Sequence, residues 1–445
     1  RIQLSDHFTY YRLLRFVLPC IGTMLFTSIY GIVDGLCVSN FVGKTAFAAV
    51  NLIMPLPMLL GTIGFMLGTG GSAIVGITLG EGDQKKADRY FTLFLLAALI
   101  SVSVLAVLGI VFLRPIAVLL GAKGELLDYA VRYGRILMVS LPTFALQNMF
   151  QSFFVTAEKP HLGFWFTVGA GCTNMVLDVL MVGIWGWGVE GAAIATFISQ
   201  LVGGVLPVFY FIDRSNSSRL HLCKTSFYSK VLRDACINGS SELMTNLSMS
   251  LVNILYNFQL LRLAGENGVA AYGVIMYAAF LFVAVFVGYA VGSAPIVSFH
   301  YGARNHTEVH NLYRKSLRLI AVVAVTLTLA SMFIIPCVAR IFVGYDAELL
   351  ALTSRAFRLY ALSFLIMGFN VYASSFFTAL GDGVTSALIS FLRTLAFQVI
   401  AILLLPLLLG IDGIWLAVTA AELAALAVSA AMLLTKDKVF HYRKV

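Results

Sequence analysis

Residues 164–183 read FWFTVGAGCTNMVLDVLMVG, a run long and apolar enough to cross a bilayer as one helix. Inside it sit Asn174 and Asp178, four residues apart and therefore stacked on one helical face. An ionisable group within a spanning helix costs about 3 kcal/mol by insertion scales, so it faces a protein interior and has a role there. Ion coupling is the role we expect, with Asp178 and Asp34 at its centre.

The rest of the chain repeats the apolar pattern. Of 445 residues, 60% are hydrophobic and only 11% charged, far from the balance of a soluble domain. Long apolar runs alternate with short polar connections. Twelve spans are expected near 11–39, 47–79, 90–113, 133–157, 161–183, 189–212, 234–263, 270–299, 314–342, 355–380, 384–409 and 413–435. The first residue is Arg1, so a native start upstream is expected, and no cleavable signal pattern precedes span 1.

The net charge of +9 reads as topology. The N-terminal lead, the even-numbered connections and the basic tail Lys436–Val445 carry about twice the Lys and Arg of the odd-numbered connections. Both termini are therefore expected in the cytoplasm of a cell-membrane protein, with no nucleic-acid partner. The six cysteines are scattered without a CxxC pair, which argues against a disulfide framework or a zinc site. Gly43-Lys44-Thr45 lacks the upstream glycine of a P-loop, since that position is Val38, so no nucleotide cofactor is expected.

The chain contains an internal repeat. AAVNLIMP at 48–55 matches AAYGVIMY at 270–277, and GSAIV at 71–75 matches GSAPIV at 292–297. SFFVTAEK at 152–159 matches SFFTALGD at 375–382, and GVEGAAIA at 188–195 matches GIDGIWLA at 410–417. The offsets stay within 221–223, which chance does not readily produce. Each repeat holds an even number of spans, so both enter the membrane from the same side. The expected fold is all-α and integral to the membrane: two six-helix bundles related by a pseudo-two-fold axis along the membrane normal. The expected units are 1–213, a cytoplasmic linker 214–233, and 234–445. Two bundles around a cleft suit a rocking transporter.

Depth groups the polar residues. Asp34 lies nine residues before Gly43, Asp178 nine before Trp187, and Thr196 nine after Trp187. All three therefore sit about 13 Å below the outer turns. Asn174 is a turn deeper, and Asn148 on span 4 is about 10 Å nearer the cytoplasm than Asp178. Carboxylates with Asn and Thr oxygens in one layer suit a proton or a hard cation such as Na⁺, held by Asp34, Asn174 and Asp178. Burial and a neighbouring carboxylate both favour holding a proton. The alternative role is interhelical hydrogen bonding alone. The positions matching these acids in the second half are not acidic, which points to a specific ion site.

Other residues are candidates for a substrate cavity. Met24, Met58, Met149, Met175, Met244 and Met276 would suit a promiscuous apolar wall, although plain packing is the commoner role of methionine. Tyr30, Glu242, Asn370 and Arg393 would supply its polar groups. Glu242 also fits a helix N-terminus, and Arg393 either pairs with a cavity acid or snorkels. Pro19 interrupts span 1 and favours a kink.

These features together resemble the multidrug and toxic compound extrusion (MATE) family. The resemblance covers nearly the whole chain. It rests on the two six-span halves, the span 1 stretch from Pro19 through Ile29-Tyr30-Gly31-Ile32-Val33-Asp34, and Ala48-Ala49-Val50-Asn51. Gly70-Gly71-Ser72-Ala73, Asn174 with Asp178, and Gly191-Ala192-Ala193 before Thr196 extend it. It implies the branch whose cation site lies in the N-terminal half, at Asp34, Asn174, Asp178, Asn148 and Thr196, with a bend at Pro19. Span 10 offers only Asn370, Ser374 and Ser375, unlike the branch with acids there. The implied function is efflux of cationic lipophilic compounds in exchange for H⁺ or Na⁺, by a monomer in a bacterial inner membrane. The alternative is a flippase for lipid-linked oligosaccharides, which would need a cationic cavity. A membrane transferase would need a DDxxD-type loop that the chain lacks, so the protein is not expected to be an enzyme.

Overall fold

The computed structural model describes residues 2–443. Arg1, Lys444 and Val445, the ends of the expected first unit and basic tail, lie outside them. Ten helices among the described residues are long and apolar enough to cross a membrane. The longest, Ser240–Gly302, is two spans: Gly265, at φ 65° and ψ −151°, breaks it in a conformation that L side chains resist. Glu125–Thr156 is a further span, less apolar because Gln147, Asn148 and Gln151 interrupt it. The twelve spans are thus Tyr10–Phe41, Thr45–Gly80, Gln84–Leu119, Glu125–Thr156, Pro160–Ile184, Val189–Ile212, 240–264, 266–302, His306–Val343, Ala347–Ala379, Gly383–Leu409 and Ile411–Phe440. The chain is a multi-pass membrane protein of two six-helix lobes.

Spans 3, 4, 9 and 10 begin six to eight residues earlier than expected, and the start of span 7 differs in kind. A separate short helix, Ser229–Asn238, precedes span 7, which starts at Ser240 rather than 234. The cause is a close packing contact. Gly239 lies directly on the Met66 backbone of span 2, and no side chain would fit between them. The Asn238 amide then donates to the carbonyls of Gly70 (3.2 Å) and Thr378 (2.9 Å), pinning spans 2 and 10 together.

The lobes meet closely at the end bearing the basic connections. Spans 1 and 2 pack on span 8 through glycines. A Cβ at Gly292 would stand 3.0 Å from Val17 and 3.2 Å from the Cys20 sulfur, and Gly288 lies on the Ile21 backbone. Gly80 and Gly302 touch the Phe299 and Ile77 carbonyls directly. Such small-residue contacts let helix backbones approach without a hydrophobic driving force. One buried core crosses both lobes here, from Val17 through Phe150 and Phe154 to Ile296 and Phe376. At the opposite end, Val50, Leu113, Tyr133, Val182 and Ala193 form a core confined to the N-terminal lobe. The lobes are therefore closed at the basic end and parted at the other.

Residues 2–8 reinforce the closed end. Leu4 and Phe8 are fully buried. The Leu4 amide donates to Glu158 of the N-terminal lobe at 3.1 Å, and the Phe8 amide to Glu308 of the C-terminal lobe at 2.9 Å. Asn311 and Lys315 both donate to the Phe8 carbonyl at 2.9 Å. Removing a buried phenyl costs about 3 kcal/mol or more. Phe8→Ala should therefore raise the hydrogen exchange of the Leu4 and Phe8 amides by about a hundredfold. Mass-spectrometric exchange of the N-terminal peptide tests this; unchanged exchange would mean that the segment is not held by Phe8.

Candidate functional site

Three aromatic-on-glycine contacts bring spans 1 and 5 together along their length. A Cβ at Gly22 would stand 3.0 Å from the Phe164 ring and one at Gly183 3.2 Å from the Phe41 ring, while Gly171 lies against Phe26 and Tyr30. This register sets Asp34 level with Asp178. Both are buried, and their carboxyl groups face each other within hydrogen-bonding reach. Among the described residues, no N–H or O–H donates to Asp34 Oδ1, to either Asp178 oxygen or to Asn174 Oδ1. The contact is acceptor against acceptor. Ionised carboxylates have nothing to donate to each other, so the pair repels unless a proton, a cation or a water donor lies between them. Immediately after Asp178 the helix widens into a π turn, Val179–Ile184, a distortion common at functional sites.

Three further groups surround the acids. Among the described residues the buried Tyr133 hydroxyl has no partner, and it lies within electrostatic range of both carboxyls. Cys37, one turn beyond Asp34, is also within range. Tyr30 reaches Gln147 and Thr27 beside them. Sequence reasoning missed Tyr133, yet the depth rule would have found it, since it lies nine residues after the outer-turn residue Gly124. Thr196 is buried on span 6, and its hydroxyl donates to the Ala192 carbonyl at 3.1 Å. Asn148 donates to the Gly61 carbonyl of span 2 at 3.4 Å. Those two donors therefore go to helix backbones and not to the acids.

A cavity of about 290 Å³ lies apart from this pair. The N-terminal lobe contributes only Thr69, Ser72 and Ser152 to its walls; the C-terminal lobe contributes the rest. Glu242, Met276 and Arg393 line it, together with Glu422, Tyr256 and Tyr272. Asn370 lies just behind the wall, fully buried and bonded to Glu422. The remaining candidates go elsewhere. Met24 lines a separate small pocket with Cys20 and Gln151. Met149 is buried against Gly68, while Met58 and Met244 are exposed and are not part of the cavity lining. Met175 and Tyr30 are half-buried, away from the cavity. Helix rotation decides these outcomes, and composition does not report it. Pro19 sits inside span 1, where its carbonyl accepts from the Thr23 hydroxyl at 2.9 Å.

Known proteins share this fold. The MatE family profile matches residues 19–180 and again 243–404, once in each half. Proteins named multidrug export protein MepA, from Staphylococcus saprophyticus and Staphylococcus aureus, are 21% and 22% identical over 96% of this chain and 94% of theirs. A solved outward-facing multidrug resistance transporter of the MATE family, in the MOP superfamily, superposes with a TM-score of 0.91 at 23% identity, covering 96% of each chain.

Proposed function

Since the chain belongs to the MatE family of membrane transporters, we propose that it exports cationic lipophilic compounds in exchange for H⁺ or Na⁺ by alternating access. The observation that carries this reading is the facing, donor-free carboxyl pair Asp34 and Asp178, set apart from the cavity. The relatives' description as multidrug export proteins supports it.

The cycle follows from the packing. A proton or Na⁺ entering from the open end settles between Asp34 and Asp178, with Asn174 as a further oxygen ligand for Na⁺. Relief of the carboxyl repulsion draws spans 1 and 5 together. Span 1 bends at Pro19, which lacks the N–H needed to tie it to the preceding turn. The same helix carries Ile21, Cys20 and Val17 against Gly288 and Gly292 of span 8. A bend there changes the lobe contact, so ion occupancy is felt at the cavity. Substrate leaves, the lobes rock, and the ion exits on the other side.

The charge pattern supports cytoplasmic termini in a bacterial plasma membrane, and one chain supplies both parts of the site, as a monomer requires. The flippase alternative fits less well. It needs a cationic cavity, and here Arg393 is bound by Glu422 at 3.1 Å and shares the cavity with a second acid, Glu242.

Proteoliposomes loaded with a fluorescent cationic dye test the reading. An imposed pH gradient or an imposed Na⁺ gradient should drive dye out, and the effective gradient names the ion. Failure of both gradients with several dyes would overturn the proposal and direct attention to lipid-linked substrates.

A further inference from the structure

The C-terminal lobe buries a charge arrangement that export of plain cations does not use. Glu422 of span 12 is held on two sides: Arg393 of span 11 donates to it at 3.1 Å and Asn370 at 2.6 Å. Ser429 in turn donates to Asn370 at 3.0 Å, so this carboxylate is fixed from behind the cavity wall. Arg393 is far less satisfied. A guanidinium has five N–H donors. Among the described residues Arg393 makes one side-chain hydrogen bond, the one to Glu422, and its Nε has no partner. Glu242, on span 7, makes no side-chain hydrogen bond or ion pair among them. Both line the cavity. The π turn Leu392–Ala396 carries Arg393.

The chemistry of the unmet groups defines a ligand. A guanidinium fork matches a carboxylate in shape and charge. An unpaired carboxylate at this depth calls for a cation. A purely cationic molecule would answer Glu242 and leave the free donors of Arg393 desolvated and unbonded, which is costly. A molecule carrying both charges answers both groups. The neighbouring rings of Tyr256 and Tyr272, stacked at 4.9 Å, give an aromatic wall for a flat ring system.

We propose that Arg393 and Glu242 make this cavity selective for amphoteric aromatic compounds, with the substrate carboxylate on Arg393 and its cationic group on Glu242. The inference rests on the reading of this cavity as the substrate site, and it narrows the substrate class from cations to molecules of both charges.

A matched dye pair tests it: a rhodamine bearing a free carboxyl group, and its methyl ester, which has the same rings but only the cation. Binding of each to the detergent-solubilised full chain is read by fluorescence polarisation, without any ion gradient. The wild type should bind the free acid at least as tightly as the ester. Arg393→Gln should weaken the acid about tenfold or more and leave the ester within about twofold. Since that change also frees Glu422, Arg393→Lys is the second variant. It keeps the charge, loses the fork, and should weaken the acid alone. Tighter wild-type binding of the ester, or equal losses for both dyes in either variant, would overturn the inference and leave the export of cations standing. Binding of neither dye by the wild type would remove the cavity's role as substrate site and the inference with it.

Discussion

Asp178→Asn is expected to cut gradient-driven dye export by about a hundredfold while leaving dye binding in the cavity within about twofold. The change keeps the volume of the side chain and removes its charge. An amide neither takes up a proton at physiological pH nor matches a carboxylate as a ligand for Na⁺. The ion then has one acid, Asp34, in place of a facing pair, and occupancy no longer alters the fit of spans 1 and 5. The same substitution separates coupling from structure. The amide it introduces can donate to Asp34, so an acceptor–acceptor contact becomes a hydrogen bond. The variant should therefore fold with unchanged or raised thermal stability. If the acids served only to join helices, export would survive this change. Export rate in proteoliposomes, beside thermal unfolding in detergent, reads both effects.

Gly302→Val is expected to be nearly as severe by a different route. A Cβ at Gly302 would strike the backbone carbonyl of Ile77, and Gly80 presents the reciprocal contact to Phe299. Neither obstacle is the far end of a flexible side chain, so the lobes must separate to accommodate a branched residue. Overpacking costs about 1–3 kcal/mol, which shifts the ratio of closed to open forms at the basic end by about fivefold to 150-fold. Spin labels at the exposed positions Lys85 and Arg304, one on each lobe, report the separation. The distance distribution should move outward in the variant and transport should fall. An unchanged distribution would mean that these glycines do not set the closed contact.

The sequence carried the fold because lipid leaves few options. Apolar runs of spanning length, broken by short polar turns, must be helices when backbone groups have no water to bond. The repeat then supplied the two-lobe symmetry. Depth was legible for the same reason: a helix rises uniformly, so counting nine residues from an outer turn levelled Asp34 with Asp178. It would have levelled Tyr133 as well. Rotation about each helix axis was not legible, since it depends on which partner each face meets. That is why Met58 is exposed and Met149 packs on Gly68, and why the direction of Glu422 emerges only when Arg393 is seen bonded to it. The short helix ending at Asn238 was hidden because it is fixed by contacts from spans 2 and 10, far away in the chain. The π turns after Asp178 and at Arg393 leave no mark in the apolar pattern at all.

If the carboxyl pair exchanges an ion for the exported compound, the ion itself can be followed. Proteoliposomes containing an internal pH or Na⁺ indicator are given a step of dye with no ion gradient imposed. Inward dye movement should drive the coupling ion outward, at a rate proportional to dye flux, and Asp34→Asn and Asp178→Asn should each abolish this ion signal. Dye flux with no accompanying ion movement in the wild type, or an ion signal that persists in both variants, would contradict ion-coupled export through this pair.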